Sequence, residues 1–471
     1  MLDWPATRLS QAIHAREVAP SEVMAAWLAQ VQALNGAVNA IVSLRDPDAL
    51  MAEARALDDV APQGWLHGIP FPVKDLVATK GLRTTWGSPV WKDHVPVKDD
   101  LVAARLRAFG AVIAAKTNVP EWGQGSHSFN PVFGVTRNPY DLTRSAGGSS
   151  GGASAALAAR MAWVADGSDM MGSLRNPAAF CNVYGFRPTW GLVPQDAEGD
   201  TYLSTLSTEG PMARTVEDLA RLLLVLAGEN PEAPFPRAVP ELALDRDLTG
   251  CRIGWLADWG GAYPMEPGIL ELCEAALRQM EDMGAVVEPL PPPFPAEKLW
   301  SAWVTLRAML NAGGKRALAE DPAKRALTKP ETIWEIEQGM GLSAQAVYEA
   351  SVIRSRWHAH AARLFDRYDA VVLPSAQVWP FPAEWRWPEE IAGRKMDTYH
   401  RWMEVVVPAS LIGLPALSVP VGFGPQGLPM GMQVIGRSGD DMGVLAIGQA
   451  WHRATEWPQR RPPLVPAPVS R

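Results

Sequence analysis

Apolar residues recur at helical spacing in several parts of the chain, and in two places a short apolar run follows. Between residues 21 and 36 they occupy every third or fourth position, at Val23, Ala26, Trp27, Val31 and Leu34. This period predicts an amphipathic helix. Residues 101–109 and 266–283 predict two more helices, and the runs 111–115 and 285–287 predict strands. Alternation of helices and strands is typical of a layered α/β protein.

The breaks between these elements are short. Proline-rich stretches at residues 230–240 and 289–295 cannot continue regular structure, so we expect surface connections there. Periodic apolar segments resume on both sides, which is unlike a flexible linker between domains. The chain shows no internal repeat, and its Pro- and Arg-rich tail is expected to be loosely ordered.

Composition argues against several classes of protein. The 471 residues carry a formal charge of −8, from 43 basic and 51 acidic side chains, without a block of like charge. Since no basic stripe is present to follow phosphates, we expect no nucleic-acid partner. Cys181, Cys251 and Cys273 have neither metal-ligand spacing nor a disulfide framework, which favours a reducing, cytoplasmic setting. The first residues also lack the features of a secretory signal.

One uncharged apolar segment, residues 405–423, is about long enough to cross a bilayer. It is interrupted by Pro408, Gly413, Pro415, Pro420 and Gly422. We therefore predict a buried strand and loop and no membrane association. The 20 tryptophans are numerous, and they predict either extensive core packing or an aromatic substrate pocket.

Three segments place a reactive side chain among glycines or prolines. The first is GIPFPVKD, residues 68–75, in which Lys74 ends a short apolar run. Taken alone, a lysine beside apolar residues is most often a surface residue whose stem lies on apolar neighbours. It becomes a candidate base when the other two segments are considered with it.

The second segment, AGGSSGGAS at residues 146–154, surrounds Ser149 and Ser150 with glycines. A flexible linker is one interpretation. The small-residue run 155–161 that follows predicts a helix, whose free N–H groups would point into the same space. Glycine also allows another group to approach the backbone closely, so a site is the alternative interpretation.

The third segment, residues 167–180, places Ser173 after Gly172 and before the turn-forming residues Arg175, Asn176 and Pro177. Backbone N–H groups around such a turn can converge on a developing oxyanion, which is usually the largest contribution to acyl-transfer catalysis. Taken alone, Ser173 could equally be a helix-capping residue.

Together these segments resemble the amidase signature family of serine hydrolases. The resemblance also includes residues 114–126, 133–141, 184–194, 368–375 and 412–437. It is weak between residues 195 and 367, where the family is expected to vary its substrate pocket. The spacing of Ser149 and Ser173 agrees with the family's pattern.

The resemblance implies an α/β fold in a single large domain, with a central mixed twisted β-sheet covered by helices on both faces. The implied segments are an N-terminal helical segment (about 1–60), the signature core (about 65–195), a variable pocket region (about 195–367), a C-terminal core (368–457) and a loose tail (458–471).

The resemblance also implies roles for individual residues. Lys74 corresponds to the family's catalytic lysine, Ser149 to its bridging serine, bonded through a cis peptide, and Ser173 to its nucleophile. The oxyanion would be held by the backbone N–H groups of Met170, Met171, Gly172 and Ser173. Met171 stands where the family's commonest pattern has glycine, which affects the expected substrate preference more than the mechanism.

Lysine chemistry sets a requirement on such a site. With a pKa of about 10.4, a free lysine is protonated at neutral pH and cannot act as a base. Burial disfavours the charged form, and a pKa of roughly 7 to 8 would make the amine useful. Ile69, Phe71 and Val73 are suited to supply apolar surroundings for Lys74.

Two competing hypotheses involve different chemistry or a partner. Residues 147–151 also match the G-x-S-x-G pattern of α/β-hydrolases, with His358 or His360 as base. That pattern requires a strand before the serine, whereas residues 136–144 are polar and contain a proline.

The chain could instead be the glutaminase-like subunit of a tRNA-dependent amidotransferase. Met171 and the aromatic-rich variable region argue against this. A non-catalytic binding protein is less consistent with three intact reactive positions.

The substrate class is the least determined feature. Trp379, Phe381, Trp385 and Trp387 cluster in the C-terminal half, which suggests a pocket for aryl amides, anilides or aryl carbamates if these residues are not structural. Candidate substrate contacts are Gln124, Gly125, Trp379, Tyr399 and Trp402. Esters and carbamates share the tetrahedral intermediate of amides. We expect a small-molecule substrate, a monomer or homodimer, and no metal or organic cofactor, because the sequence has no evident ligand set.

Overall fold

The computed structural model describes residues 1–196 and 199–465. Its α-helices are α1 (Ala6–His14), α2 (Pro20–Val38), α3 (Pro47–Leu57), α4 (Leu101–Ala108), α5 (Gly151–Ala158), α6 (Arg175–Phe180), α7 (Val216–Leu226), α8 (Ile269–Asp282), α9 (Ala296–Glu320), α10 (Pro322–Leu327), α11 (Pro330–Met340), α12 (Ala344–Leu364), α13 (Val407–Leu411) and α14 (Asp441–Thr455). Short 3₁₀ helices lie between some of them, including Arg401–Val406.

The strands form one large sheet and several small ones. They are β1 (Ile41–Val42), β2 (Pro70–Lys74), β3 (Val112–Thr117), β4 (Phe129–Asn130), β5 (Gly134–Val135), β6 (Arg137–Asn138), β7 (Asp141–Ser145), β8 (Val164–Asp169), β9 (Tyr184–Arg187), β10 (Thr208–Ala213), β11 (Arg252–Trp255), β12 (Val286–Pro289), β13 (Ala370–Pro374), β14 (Glu390–Ile391), β15 (Arg394–Lys395), β16 (Ala416–Phe423) and β17 (Pro429–Ile435).

The large sheet has eight strands in the order β12-β11-β13-β17-β16-β9-β10-β8. Strand β11 runs parallel to β12 and β13, and the other neighbouring pairs are antiparallel. Helices including α6, α7, α8 and α14 pack against its strands. The predicted fold class, a mixed α/β domain around a central sheet, is confirmed.

A three-stranded sheet, β1-β3-β2, continues this architecture beside β8. The backbone N–H of Lys74, at the end of β2, donates to Oδ1 of Asp166 in β8 at 3.0 Å. A buried carboxylate therefore joins the two sheets where a backbone ladder would otherwise do so. This contact brings the Lys74 side chain next to Ser168 at the end of β8.

The helix α2 shows why local sequence predicted some elements well. Pro20 occupies the first turn, where its missing N–H costs nothing, and the Glu22 carboxylate accepts from the Ala19 N–H at 2.8 Å. Trp27 on its apolar face is fully buried, and its indole N–H donates to the Met161 carbonyl at 2.8 Å. The other two predicted helices appear as α4 and α8, and the predicted strands as β3 and β12.

Three expectations need correction. Residues 405–411 form 3₁₀ and α-helical turns, and only the later part of segment 405–423 is the buried strand β16, because Pro408 fits the first turn of a helix. Helix α5 begins at Gly151, inside the glycine run. The tail is packed as far as Val465: Tyr140 Oη donates to the Arg460 carbonyl at 2.6 Å. The expectation for residues 466–471 lies outside the described residues.

No helix in the described ranges is long and apolar enough to cross a membrane.

Candidate active site

Lys74 ends β2 with a side chain that is fully buried among hydroxyl groups. Its Nζ lies 2.9 Å from Ser149 Oγ, 2.8 Å from Ser150 Oγ and 2.9 Å from Ser168 Oγ. An ammonium has three N–H groups, and three hydroxyls can accept them. Because a hydroxyl can also donate, the same arrangement accommodates a neutral amine whose lone pair accepts a proton.

The surroundings favour the neutral form of this amine. Burial lowers the pKa of Lys74 from 10.5 to about 8, and the negative charges of Glu209, Asp166 and Asp169 limit that shift. Lys74 makes no direct ion pair with a carboxylate in the part of the chain that the structure describes. At pH 7 about a tenth of the amine is therefore unprotonated, far more than in a free lysine, and the neutral form that a general base requires becomes the major one above pH 8.

The two residues before Ser149, Gly147 and Gly148, occupy positions that disfavour any side chain. The Gly148–Ser149 peptide is cis, and Gly147 has φ 76°. A Cβ added at Gly148 would lie 2.9 Å from the backbone nitrogen of His127, closer than real contacts allow. Ser126 Oγ donates to the Gly148 carbonyl at 2.5 Å, which fixes the orientation of the peptide that precedes Ser149.

Ser173 lies on a turn between β8 and α6 that is organised by Asp169. The Asp169 carboxylate accepts from the N–H groups of Gly172 at 2.8 Å and Leu174 at 3.2 Å. Burial would raise the pKa of Asp169, but the charges and hydrogen bonds of Arg175 and Arg187 outweigh this and lower the pKa. Asp169 stays ionised, and the turn is held on both sides of Ser173.

The two serine segments are also joined directly. The Ser150 N–H donates to the Ser173 carbonyl at 3.2 Å. Gly172 has φ 77°, and a Cβ there would lie 2.6 Å from Asn176 Oδ1. Glycine is thus required immediately before Ser173 for both conformation and space.

The predicted oxyanion donors differ in availability. Among the described residues, none accepts a hydrogen bond from the backbone N–H of Met170, Met171 or Ser173. The N–H of Gly172 was predicted to bind the oxyanion, but it already donates to the Asp169 carboxylate. The structure therefore leaves three of the four predicted donors free to bind a developing oxyanion.

Ser149 and Ser173 both line a cavity of about 100 Å³, which admits part of a small molecule. Its other lining residues form an apolar side and a polar, cationic side: Leu76, Trp122, Gly123, Gln124, Gly125, Ser168, Met170, Met171, Ser207, Arg307, Asn311, Lys315 and Met403. Ser173 is 7% exposed and Ser149 is 2% exposed, so the site is sheltered but reachable. Two serine hydroxyls and free backbone N–H groups meet at one cavity, and the Lys74 amine lies 2.9 Å from one of these hydroxyls, that of Ser149.

Comparison with known proteins agrees with this geometry. A family model described as Amidase matches residues 22–445. The chain belongs to the amidase family. It is 35% identical to a glutamyl-tRNA(Gln) amidotransferase subunit of Chloroflexus aurantiacus over 489 residues, covering 98% of each protein. It is 36% identical to the corresponding subunit of Thermus thermophilus over 470 residues, covering 95% of this chain and 96% of that protein.

Solved structures extend the similarity to enzymes of a second kind. A bacterial aryl acylamidase of the amidase signature family superposes with a TM-score of 0.92 at 28% identity, covering 99% of both chains. The glutamyl-tRNA(Gln) amidotransferase subunit of Thermotoga maritima gives a TM-score of 0.76 at 29% identity, covering 92% of this chain and 91% of that one. The amidase signature resemblance inferred from the sequence motifs is confirmed.

Within this amidase, the predicted substrate contacts divide into two groups. Gln124 and Gly125 line the cavity. Trp379, Tyr399 and Trp402 do not. The indole N–H of Trp379 donates to the Pro267 carbonyl at 3.1 Å, and the fully buried Trp402 donates to the Tyr399 carbonyl at 3.1 Å. These aromatic residues stabilise the fold around the site, and their sequence clustering did not indicate which of them reach it.

Trp122 is the one aromatic residue that lines the cavity in the described part of the chain. It stacks on Trp86 with ring centroids 6.0 Å apart, and its Nε1 is buried without a partner among the described residues. Nine of the 20 tryptophans are buried core residues. The fully buried ones include Trp27, Trp163, Trp259, Trp303, Trp402 and Trp451.

The alternative serine-histidine arrangement is not formed. His358 and His360 are exposed on α12, and His358 lines a different cavity with Trp190 and Arg354. The sequence expectation that no strand precedes Ser149 is wrong, because β7 ends at Ser145. That strand pairs with β6 and bridges to Pro382 but is not part of the eight-stranded sheet, so the G-x-S-x-G match has no structural counterpart.

Sequence reasoning missed two parts of the Lys74 environment. Ser150 and Ser168 contact the amine as closely as Ser149 does, and both lie within the motif segments. Glu209, opposite Ser168 in the β8–β10 register, belongs to no motif. Its Oε2 is buried and has no partner among the described residues, and burial raises the pKa of its carboxyl group. Only strand pairing relates Glu209 to the site.

Proposed function

We propose that this chain hydrolyses C–N bonds of small-molecule amides, with aryl amides and anilides as preferred substrates. Ser173 would be the nucleophile, Ser149 the bridging hydroxyl and Lys74 the base. The observation that carries the proposal is the 2.9 Å contact between Lys74 Nζ and Ser149 Oγ beside a cavity that Ser149 shares with Ser173.

The proposed reaction uses the contact of Lys74 with Ser149 and the cavity that Ser149 shares with Ser173. Neutral Lys74 accepts a proton from Ser149, which accepts one from Ser173 as Ser173 Oγ attacks the carbonyl carbon. The N–H groups of Met171 and Ser173 stabilise the oxyanion. Reverse transfer protonates the leaving amine, and water then attacks the acyl-enzyme by the same route.

The apolar side of the cavity supports a preference for aryl groups. Leu76, Trp122, Met171 and Met403 offer a surface on which a flat ring can be buried. The TM-score of 0.92 with a bacterial aryl acylamidase supports the same substrate class. Aryl carbamates and esters form an equivalent tetrahedral intermediate, so urethane and ester cleavage would be side activities.

The proposal is tested by a hydrolysis panel of 4-nitroacetanilide, an aryl carbamate, an aryl ester, an aliphatic amide and glutamine. We expect the wild-type chain to release 4-nitroaniline, and Ser173→Ala to lose this activity while its circular dichroism spectrum and melting temperature stay close to wild type. Hydrolysis of glutamine alone, or equal anilide turnover by Ser173→Ala, would contradict the proposal.

A second candidate is the glutaminase component of an amidotransferase. It is favoured by the 35–36% identity to glutamyl-tRNA(Gln) amidotransferase subunits along nearly the whole chain. The cavity argues against it, because glutamine carries an ammonium group and no Asp or Glu is among the described lining residues. The charged lining residues, Arg307 and Lys315, could attract the α-carboxylate of glutamine, but they would repel its ammonium group, which has no acidic partner in the lining.

The two candidates differ in whether a partner is needed. The chain purified alone is expected to hydrolyse 4-nitroacetanilide and to leave glutamine intact. Activity that appears only with a copurified second chain, and only on glutamine, would favour the amidotransferase role.

A further inference from the structure

One face of α9 presents a polar and cationic stripe to the cavity. Arg307, Asn311 and Lys315 are spaced four residues apart and therefore lie one above the other on the helix. All three line the cavity that contains Ser149 and Ser173. One helix thus supplies both cationic lining residues of the cavity, Arg307 and Lys315.

The hydrogen-bonding capacity of Arg307 is only partly used within the protein. Its Nε donates to Glu335 Oε1 at 2.6 Å and its Nη2 to Tyr399 Oη at 2.9 Å. Its Nη1 meets only Met170 Sδ, at 3.3 Å. Since a thioether is a weak acceptor, the Nη1 edge remains available to a stronger one.

Lys315 has still more unused capacity. Its Nζ donates to Asn311 Oδ1 at 2.7 Å, which occupies one of three ammonium N–H groups. Within the described ranges, Lys315 makes no ion pair with a carboxylate within 4.0 Å. Glu335 balances Arg307, but Lys315 adds a positive charge to the wall without a paired acid.

We propose that this amidase prefers substrates that carry a carboxylate, bound by Lys315 and the Nη1 edge of Arg307. The inference rests on the proposed amide hydrolysis and specifies its substrate class. The carboxylate could belong to the acyl half or to the amine half of the substrate. In either case one carboxylate oxygen would contact Arg307 and Lys315 on α9. The experiment below distinguishes a carboxylate on the acyl half from one on the amine half.

The charge on Lys315 gives the preference a pH dependence. Burial lowers the pKa of Lys315 to about 8, with Glu335 acting against this shift and Arg307 and Lys329 adding to it. Lys315 is therefore charged below pH 8 and loses its charge as the pH rises through that value. Binding of a carboxylate weakens over the same interval.

Two substrate pairs test the proposal and locate the carboxylate. N-(4-nitrophenyl)succinamate against N-(4-nitrophenyl)butanamide compares an acidic with a neutral acyl half. 4-Acetamidobenzoate against acetanilide compares the amine halves. The quantity measured is the ratio of kcat/KM for the acid to kcat/KM for its neutral counterpart, in which the ionisation of Lys74 cancels because both substrates need the same base.

In at least one pair the wild-type ratio is expected to exceed unity at pH 7 and to fall above pH 8. Lys315→Gln should lower the ratio about tenfold, mainly through KM of the acid, since a hydrogen bond to a charged group is worth roughly one such factor. It should also remove the pH dependence. Lys298→Gln changes an exposed residue on the same helix and serves as the matched control. Its ratio is expected to equal that of the wild type.

The outcomes separate this inference from the function on which it rests. If no member of either pair is hydrolysed, the proposed amide hydrolysis fails. If the anilides are hydrolysed but neither ratio exceeds unity, or Lys315→Gln leaves both ratios at the wild-type value, the carboxylate preference is wrong and the amide hydrolysis stands.

Discussion

Two buried lysines with similar pKa values lie on the neighbouring strands β2 and β3 but face different surroundings. Burial lowers the pKa of both Lys74 and Lys116 to about 8. In the parallel β2–β3 pair, Lys116 is opposite Val73, so its side chain shares a face with Val73 and not with Lys74. It donates to Thr79 Oγ1 at 2.7 Å. A lowered pKa therefore does not distinguish the two lysines, and the contact with Ser149 is the reason for proposing Lys74 as the base.

Replacing each lysine by methionine separates these roles. Lys74→Met should lower kcat for an anilide by about 10²–10⁴, the usual contribution of a general base, with folding retained. Lys116→Met is the matched control: it should lower the melting temperature, because Thr79 Oγ1 and the Val77 carbonyl lose the hydrogen bonds that Lys116 donates, and keep a kcat near wild type. An inactive Lys116→Met beside an active Lys74→Met would show that the base has been misassigned.

The pH dependence of kcat/KM is expected to follow the ionisation of Lys74. Because the neutral amine is the active form, kcat/KM for an uncharged anilide should rise with pH and level off above about 8. Burial raises the pKa of Glu209 to about 8, so its negative charge develops over the same interval and raises the pKa of Lys74; Glu209→Gln should therefore shift the rise to lower pH. The exposed Glu274→Gln should leave the profile unchanged. A shift to higher pH in Glu209→Gln would contradict this assignment.

For individual residues, the sequence predicted the centre of the site better than its walls. Lys74, Ser149 and Ser173 belong to short motifs whose residues are recognisable from local order. Arg307 and Lys315 belong to a region of weak resemblance, and only the packing of a helix brings them to the cavity. No local pattern in the sequence carries that information.

Among the elements, α9 connects the catalytic region to the variable one. It packs against α11, and the buried pair of Arg307 and Glu335 joins the two helices at 2.6 Å. Burial would raise the pKa of Glu335, but Arg307 outweighs this and lowers it, so both groups are charged. The position of the cationic stripe depends on this pair.

Breaking the pair should destabilise the protein. Glu335→Gln leaves the Arg307 charge buried without a carboxylate and should lower the free energy of unfolding by about 3–5 kcal/mol. Denaturant titration measures this. Glu320→Gln, which removes an exposed pair with Arg316 on the same helix, should cost less than about 1 kcal/mol. Equal effects of the two changes would show that the buried pair does not hold α9 in place.

Prediction of elements succeeded where an amphipathic period was long and clearly ended. The helices α2, α4 and α8 satisfy this condition. The small hairpin of β6 and β7 was missed because its residues are mostly polar and its further bridge, from Arg144 to Pro382, joins it to a segment distant in sequence. Helix α5 was predicted to begin too late, since Gly151 and Gly152 are poor helix formers that the fold requires: a Cβ at Gly152 would lie 2.3 Å from the backbone nitrogen of Asn118.

Over the whole protein, the site forms where separate parts of the chain meet. The three-stranded sheet supplies Lys74, the edge of the eight-stranded sheet supplies Ser168, and the turn that follows supplies Ser173. Asp166 joins the sheets through its bond to the Lys74 backbone at 3.0 Å. Helix α9 then closes the cavity. This explains how one catalytic core can be combined with different pocket walls.

Labelling by a fluorophosphonate, followed by peptide mapping with mass spectrometry, shows directly whether Ser173 is a nucleophile activated by Lys74. We expect a single adduct on Ser173 in the wild-type chain and labelling at least about 100-fold slower in Lys74→Met, because the serine is activated by the neutral amine. An adduct on Ser149 or on another residue, or equal labelling rates in the two proteins, would contradict this mechanism.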